Sequence, residues 1–266
     1  MRRFPLLACF LAVFAAFPFL TSGDEPSLAK PSEESFTRQA WEDFKSPVTT
    51  DAKYILLSGA AATAMLVYVT GDFDRSTTSD AAQKKRLGRF AKTVDLAGQL
   101  IPNGLYIGGM LADGFILDKP RSKNRAYLML RSTVHAVVVT TVLKRLVNEP
   151  RPNDNNDRLS FPSGHSTSSF AFASVIGAEH EWYFGVPAYA LAAVIAYGRM
   201  NDNRHYLHDV VAGMAIGMSY GLGIYYRERA RTSALNAADP SAVSTDLHLL
   251  PMDDLSGVAL VLRKRL

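Results

Sequence analysis

Three short segments carry one kind of chemistry: Lys144 through Arg151-Pro152, then Pro162-Ser163-Gly164-His165, then Arg199 through His205 to Asp209. Together they hold three fixed cations, two histidines, a hydroxyl, a glycine and a carboxylate. That inventory suits an oxyanion with several charged oxygens, above all a phosphoryl group in transfer, where positioning and electrostatics do most of the catalysis. Lys144 is a compact charge, and Arg151 has a planar fork able to hold two oxygens at once. Pro150 and Pro152 stiffen the backbone around it. Gly164 lets the chain approach a ligand with its N–H toward an anion, and the Ser163 hydroxyl adds a donor. His165 is placed to give a proton to a leaving oxygen. Arg199 is a third clamp at a helix end. If His205 begins the next helix, Asp209 lies one turn on, on the same face. The carboxylate then accepts from one imidazole nitrogen and leaves the other as a nucleophile. Taken singly, each segment has an ordinary reading: surface charge, a serine-capped helix start, a structural His–Asp pair.

In this order and separation the segments resemble the signature of the type 2 phosphatidic acid phosphatase and vanadium haloperoxidase superfamily. That pattern is a lysine, six residues and Arg-Pro; then Pro-Ser-Gly-His; then Ser-Arg, five residues, His, three residues, Asp. One departure is visible: Gly198 stands where serine is usual. The resemblance covers about residues 54–227. It implies an all-α helical bundle and a phosphatase that needs no metal and no cofactor, with vanadate binding as a phosphate analogue. It further implies that His205 attacks phosphorus to form a phosphohistidine, with Asp209 orienting it. His165 would protonate the leaving oxygen, and water would release phosphate. Lys144, Arg151, Arg199, Ser163 and the Gly164 N–H would hold the phosphoryl oxygens. The expected substrates are phosphate monoesters or diphosphates, chiefly lipid phosphates such as phosphatidate, phosphatidylglycerol phosphate or an isoprenyl diphosphate. The rival readings are a soluble periplasmic acid phosphatase, a vanadate-dependent haloperoxidase, and a non-catalytic anion-binding envelope protein. The last would need the cations but not the acid and the nucleophile.

Other candidates read as structural. His135 lies on an apolar helix and is expected as a satisfied core histidine. His208 is expected at the pocket mouth or facing solvent. Arg204 and Asp202 are expected to pair with each other. Asp72 and Asp74 suggest a cation, but no further ligands cluster with them, and the histidines lack zinc-site spacing.

The elements that must position this chemistry follow one another as helices. The chain of 266 residues is 48% hydrophobic with a formal net charge of +4, too small by itself to indicate a nucleic-acid partner. Residues 1–23 read as an export signal: Arg2-Arg3, an apolar stretch, then Thr21-Ser22-Gly23 as a cleavage site. The alternative is an uncleaved anchor. Cys9, the only cysteine, lies within that segment, so a mature chain would have no disulfide. Residues 24–53 read as a polar leader with a short helix near 36–44, and 71–92 as a charged surface crossing. Apolar runs cover 54–70, 94–117 and 126–143, and helices are expected at about 166–179, 183–198 and 206–227. Glycines 213, 217, 221 and 223 would permit close packing of the last. The phosphatase-like domain is placed at 54–230 and a tail at 231–266, the latter either a small β-hairpin or irregular.

The apolar runs are near the lower length limit for membrane spans, and the mean hydropathy of +0.01 is low. If the signal is cleaved and all three runs cross, the basic stretch 119–125 lies outside, against the positive-inside tendency. Buried helices in an exported globular domain resolve that conflict; a six-span inner-membrane protein is the rival. The expected location is the bacterial envelope, periplasmic or membrane-associated, with the site on the periplasmic side.

Overall fold

The computed structural model describes residues 35–153, 156–238, 245–251 and 258–264. The expected signal and the first part of the leader lie outside them. The helices up to Glu228 form one compact unit, and the chain from Arg229 onward contributes to another.

Helix α1 (Phe36–Thr49) starts at Ser35, whose side chain accepts from the Arg38 N–H. Its Asp43 is buried and accepts from Arg131 at 2.5 and 2.6 Å and from Arg227 at 2.7 Å. The end of the leader is therefore tied into the bundle by charge. Helix α2 (Ala52–Ala64) runs on into a π-helical turn (Met65–Val69).

Residues 71–92 differ from the expected surface crossing. Most of that stretch is helix α3 (Gly71–Lys84), with Asp72 and Asp74 in its first turn and Lys84 in its last, the charge order a helix dipole favours. Lys84 also pairs with Asp80 one turn back. Asp74, Thr77, Thr78 and Ala81 are buried. Polar residues made this segment read as surface; two of them, Asp74 and Thr78, instead bond His208 and Leu207.

After a 3-10 turn (Gly88–Phe90) comes the short α4 (Ala91–Ala97). Leu100, in the left-handed region at φ 68°, breaks the apolar run, and α5 (Ile101–Ile116) follows. The long α6 (Pro120–Val147) ends at Asn148, also left-handed. Then come α7 (Gly164–Glu179), α8 (Trp182–Asn201) and α9 (Leu207–Ala238).

Buried Val210, Met214, Met218 and Ile224 make α9 a core element. A Cβ at Gly213 would lie 2.4 Å from the Ser163 carbonyl, and one at Gly217 2.2 Å from that of Thr167. At Gly221 it would meet the Ser174 side chain at 2.6 Å. One glycine per turn thus lets α7 and α9 touch backbone to backbone, as the sequence spacing suggested.

The contacts also fix direction. Helix α2 begins beside the Ser46–Gly223 contact and passes Ala215 at Gly59, so it climbs toward the start of α9. Helix α5 descends, with Gly114 packed on Lys123. Helices α6 to α9 then alternate. The end of α6, the start of α7, the end of α8 and the start of α9 meet at one end of the bundle, and the basic turn 119–125 lies at the other.

Among the described residues, two helices are long and apolar enough to cross a membrane: α6, and α9 over Leu207–Leu235. The bent pair α1–α2 would make a third. The apolar runs are not buried as a globular domain requires. Tyr68 is 86% exposed, Ile116 78% and Leu105 72%, and Val134, Val138 and Val142 line an exposed stripe on α6. In the second unit β1 (Thr245–Pro251) pairs antiparallel with β2 (Val258–Lys264), with Leu249 opposite Leu260, which is the hairpin alternative for the tail.

Candidate active site

The shared end of α6 to α9 holds every residue of the three sequence segments. His205 lies two residues before α9 rather than in its first turn, but still reaches Asp209: Nδ1 is 3.3 Å from Oδ2. The same Oδ2 accepts from the Tyr206 N–H at 2.8 Å and from Ser160 Oγ at 2.6 Å. The carboxylate thus caps the helix start and fixes the imidazole together. Asp209 and His205 are both buried, at 0% and 2% exposure. With Nδ1–H directed to Asp209, Nε2 carries the lone pair, and Arg151 Nη1 faces it at 3.4 Å.

Arg151 is held by Asp157, Nε to Oδ2 at 2.6 Å, and by the Arg204 carbonyl at 3.1 Å. The Leu159 N–H and then Arg151 keep the Asp157 carboxyl below the usual range. Lys144 donates to the carbonyls of Leu159 at 2.7 Å and Ser160 at 3.0 Å, which leaves one ammonium N–H for a ligand. Its cation also braces the loop that leads into Pro162 and Ser163.

Ser163 is the N-cap of α7 and is fully buried; its oxygen accepts from the Ser166 N–H and hydroxyl. Its own N–H donates to the Asp209 carbonyl at 3.0 Å, which links the second and third segments. Gly164 is the first residue of α7, so its N–H belongs to the unsatisfied first turn that suits an anion.

His165 and Arg199 face each other across Asp95, a residue of α4. Asp95 Oδ1 lies 3.2 Å from His165 Nε2 and also pairs with Arg199 Nη1. Arg199 Nε is buried with no partner among the described residues. These three groups border a cleft of about 520 Å³, with Lys85, Lys92 and Arg204 on its walls. Gly198, the departure from the family pattern, backs onto α4: a Cβ there would come within 2.7 Å of Val94 Cγ1. The missing serine hydroxyl therefore makes room for the helix that carries Asp95.

Both imidazoles are driven toward the neutral form. Burial pushes His205 down to about 4, against the upward pull of Asp209, and Lys144 and Arg151 depress it further. Burial and then Arg199 take His165 to about 4, against Asp95. A neutral His205 is what a nucleophile requires. A neutral His165 cannot yet act as an acid; a phosphoryl dianion beside it would raise it.

The other candidates settle as follows. His135 bonds the carbonyls of Arg131 and Ala40, at 2.8 and 3.1 Å, as a satisfied core residue. Asp202 accepts from Asn201 at 3.0 Å, and the Arg204 side chain lines the cleft. Asp72 pairs with Arg75. His208 does not face solvent: it is 6% exposed and enclosed by acids. Sequence reading also passed over Asp95, Ser160 and Asp157. Asp95 registered only as an interruption in an apolar run, while Ser160 and Asp157 sit in the loop between two recognised segments, where proximity was the one available signal.

Residues 125–233 match the model of the PAP2 superfamily. Over these residues the chain is similar to that superfamily. The match takes in all three segments. The lipid A 1-phosphatase of Porphyromonas gingivalis is 28% identical over 141 residues, 50% of this chain and 30% of that protein. The decaprenylphosphoryl-5-phosphoribose phosphatase of Mycobacterium tuberculosis is 35% identical over 96 residues, 33% of this chain and 51% of that protein. The chain thus spans 30% and 51% of these relatives' lengths. In fold, the transmembrane PAP2-type phosphatidylglycerolphosphate phosphatase of Bacillus subtilis superposes with a TM-score of 0.55 at 18% identity, over 70% of this chain and 97% of that one.

Proposed function

We propose that this protein is a phosphatase of the PAP2 superfamily that transfers the phosphoryl group of a lipid phosphate to His205 and then to water, without a metal. The observation that carries the reading is the pair of contacts on one buried imidazole: Asp209 on Nδ1 and Arg151 at Nε2. A binding protein needs the arginine but has no use for the oriented base. In the reaction Nε2 attacks phosphorus while Lys144, Arg151, Arg199 and the start of α7 hold the oxygens as charge develops. The P–O bond to the leaving group breaks, and His165 supplies its proton. The neutral His165 then takes a proton from water, which attacks the phosphohistidine and frees phosphate.

A lipid substrate is supported by the exposed apolar surface of α2, α5, α6 and α8 and by two helices, among the described residues, long enough to cross a bilayer. Both named relatives act on phosphorylated lipids by their descriptions. Phosphate release from phosphatidate in detergent with EDTA, compared with the His205→Ala variant, tests the reading. Release by the wild type and none by the variant is expected. EDTA-sensitive release, or release retained by the variant, would overturn it.

A further inference from the structure

His208 is the residue least expected from the sequence, and it is buried. Its ring lies between three carboxylates from three parts of the chain. Nδ1 is 2.7 Å from Asp74 Oδ2 on α3, and its backbone N–H donates to Asp74 Oδ1 at 2.9 Å. Nε2 is 3.1 Å from both oxygens of Glu149, two residues before Arg151. The same Nε2 lies 3.4 Å from Asp209 Oδ1, the oxygen that does not face His205. That oxygen is buried and has no hydrogen-bond partner among the described residues. Phe161 and Tyr206 stack near the ring, at 6.0 and 5.3 Å between centroids.

A neutral imidazole has one N–H, and carboxylates only accept. A ring with carboxylates at both nitrogens is therefore satisfied in full only when both are protonated. Without that charge, Asp74, Asp209 and the partly exposed Glu149 would face one another around a neutral ring, an arrangement that repels strongly at low dielectric. We propose that His208 is a constitutive imidazolium that positions Asp209: it supplies the countercharge for Oδ1, keeps Oδ2 turned toward His205, and ties α3 and the Glu149–Arg151 loop to that carboxylate. It touches no substrate, so it is a positioning residue rather than a catalytic one. The proposal rests on the phosphohistidine reading for its functional consequence but not for its charge.

The rival arrangement leaves His208 neutral and places the proton on Glu149, whose carboxyl is raised by burial. A second rival is a cation held by Glu149, His208 and Asp209, whose ligand atoms lie within 4.8 Å of one another. Nitrogen NMR of the full chain, labelled with ¹⁵N-histidine in detergent micelles at pH 8, separates all three. His208 is assigned by its loss in His208→Gln or, should that variant fail to fold, by its displacement in Asp74→Asn. Two protonated ring nitrogens, unchanged by EDTA, are expected. One bare nitrogen, or a signal that moves when EDTA is added, would overturn the proposal. In the activity assay His208→Gln is expected to lower kcat by about 10- to 100-fold, the usual cost of losing a group that orients a reacting residue, with KM little changed. An unchanged kcat would sink the positioning role while leaving the charge assignment to the NMR. Inactive wild type with a doubly protonated His208 would count against the phosphatase reading alone.

Discussion

Asp95 places a carboxylate between His165 and Arg199, the two groups that should meet the leaving oxygen and a phosphoryl oxygen. An anion of the protein's own therefore stands in the anion site. Asp95→Asn removes that competitor, so orthovanadate and phosphate should inhibit more tightly, by about ten-fold or ~1.4 kcal/mol. The same change should alter the pH profile in a defined direction. As the acid, His165 must be protonated, so kcat/KM falls as pH rises through its pKa. Burial and Arg199 lower that pKa to about 4 and Asp95 raises it. Without Asp95 the basic limb of kcat/KM should move further to the acid side. A basic limb that stays in place or moves upward would show that Asp95 does not govern His165. The residues proposed for the site, Lys144, Arg151, His165, Arg199, His205 and Asp209, stood out in the sequence because the proposed chemistry needs charge and spacing together. Asp95 and His208 were not, because an isolated acid in an apolar run and a histidine three residues from another carry no spacing signal; only the fold supplies their partners.

Among the elements, helix α3 shows where sequence patterning gives out. Three of its polar residues, Asp74, Thr77 and Thr78, are buried, and Asp74 and Thr78 bond residues some 130 positions away. The glycine row on α9 shows the opposite: a period of four on an apolar helix already implies a close neighbour. Gly217→Ala would set a Cβ 2.2 Å from the Thr167 carbonyl, and helix backbone cannot yield as a side chain does. Thermal unfolding in detergent should show a loss of about 1–3 kcal/mol for this overpacking. No change in midpoint would mean that α7 and α9 are not held this close. Asp43 makes a second test. It receives Arg131 and Arg227 in a buried position, so Asp43→Asn leaves two guanidiniums with only the more exposed Glu228 carboxylate between them. A loss of about 3–5 kcal/mol is expected, and with it the attachment of α1, read as faster proteolysis within residues 36–49.

At the scale of the whole molecule, the alternation of helices puts the site at one end and the basic turn 119–125 at the other. Residues 36–53 share the end away from the site. If the exposed apolar belt sits in a bilayer, the positive-inside tendency places the basic turn in the cytoplasm and the site on the outer face. Residue 50 then lies in the cytoplasm, which is incompatible with export of the chain by a signal cleaved after residue 23. The sequence alone already set signal cleavage against the positive-inside tendency and offered residues 1–53 inside as the rival, but it gives the apolar runs without the direction in which each crosses the bundle. A reporter fused after residue 50 in the full chain should be active only on the cytoplasmic side, and one placed in the 119–125 turn should agree with it. Reporters active on the outer side at both positions would instead favour an exported domain with its belt against the membrane.

The central claim is that His205 carries the phosphoryl group. The direct measurement is capture of that intermediate: brief reaction with ³²P-phosphatidate, denaturation under alkaline conditions, and mapping of the label by mass spectrometry. The structure predicts an acid-labile, base-stable label on His205 Nε2 that disappears in His205→Ala. Steady turnover by the wild type with no label on His205, or a label that persists in His205→Ala, would contradict the account.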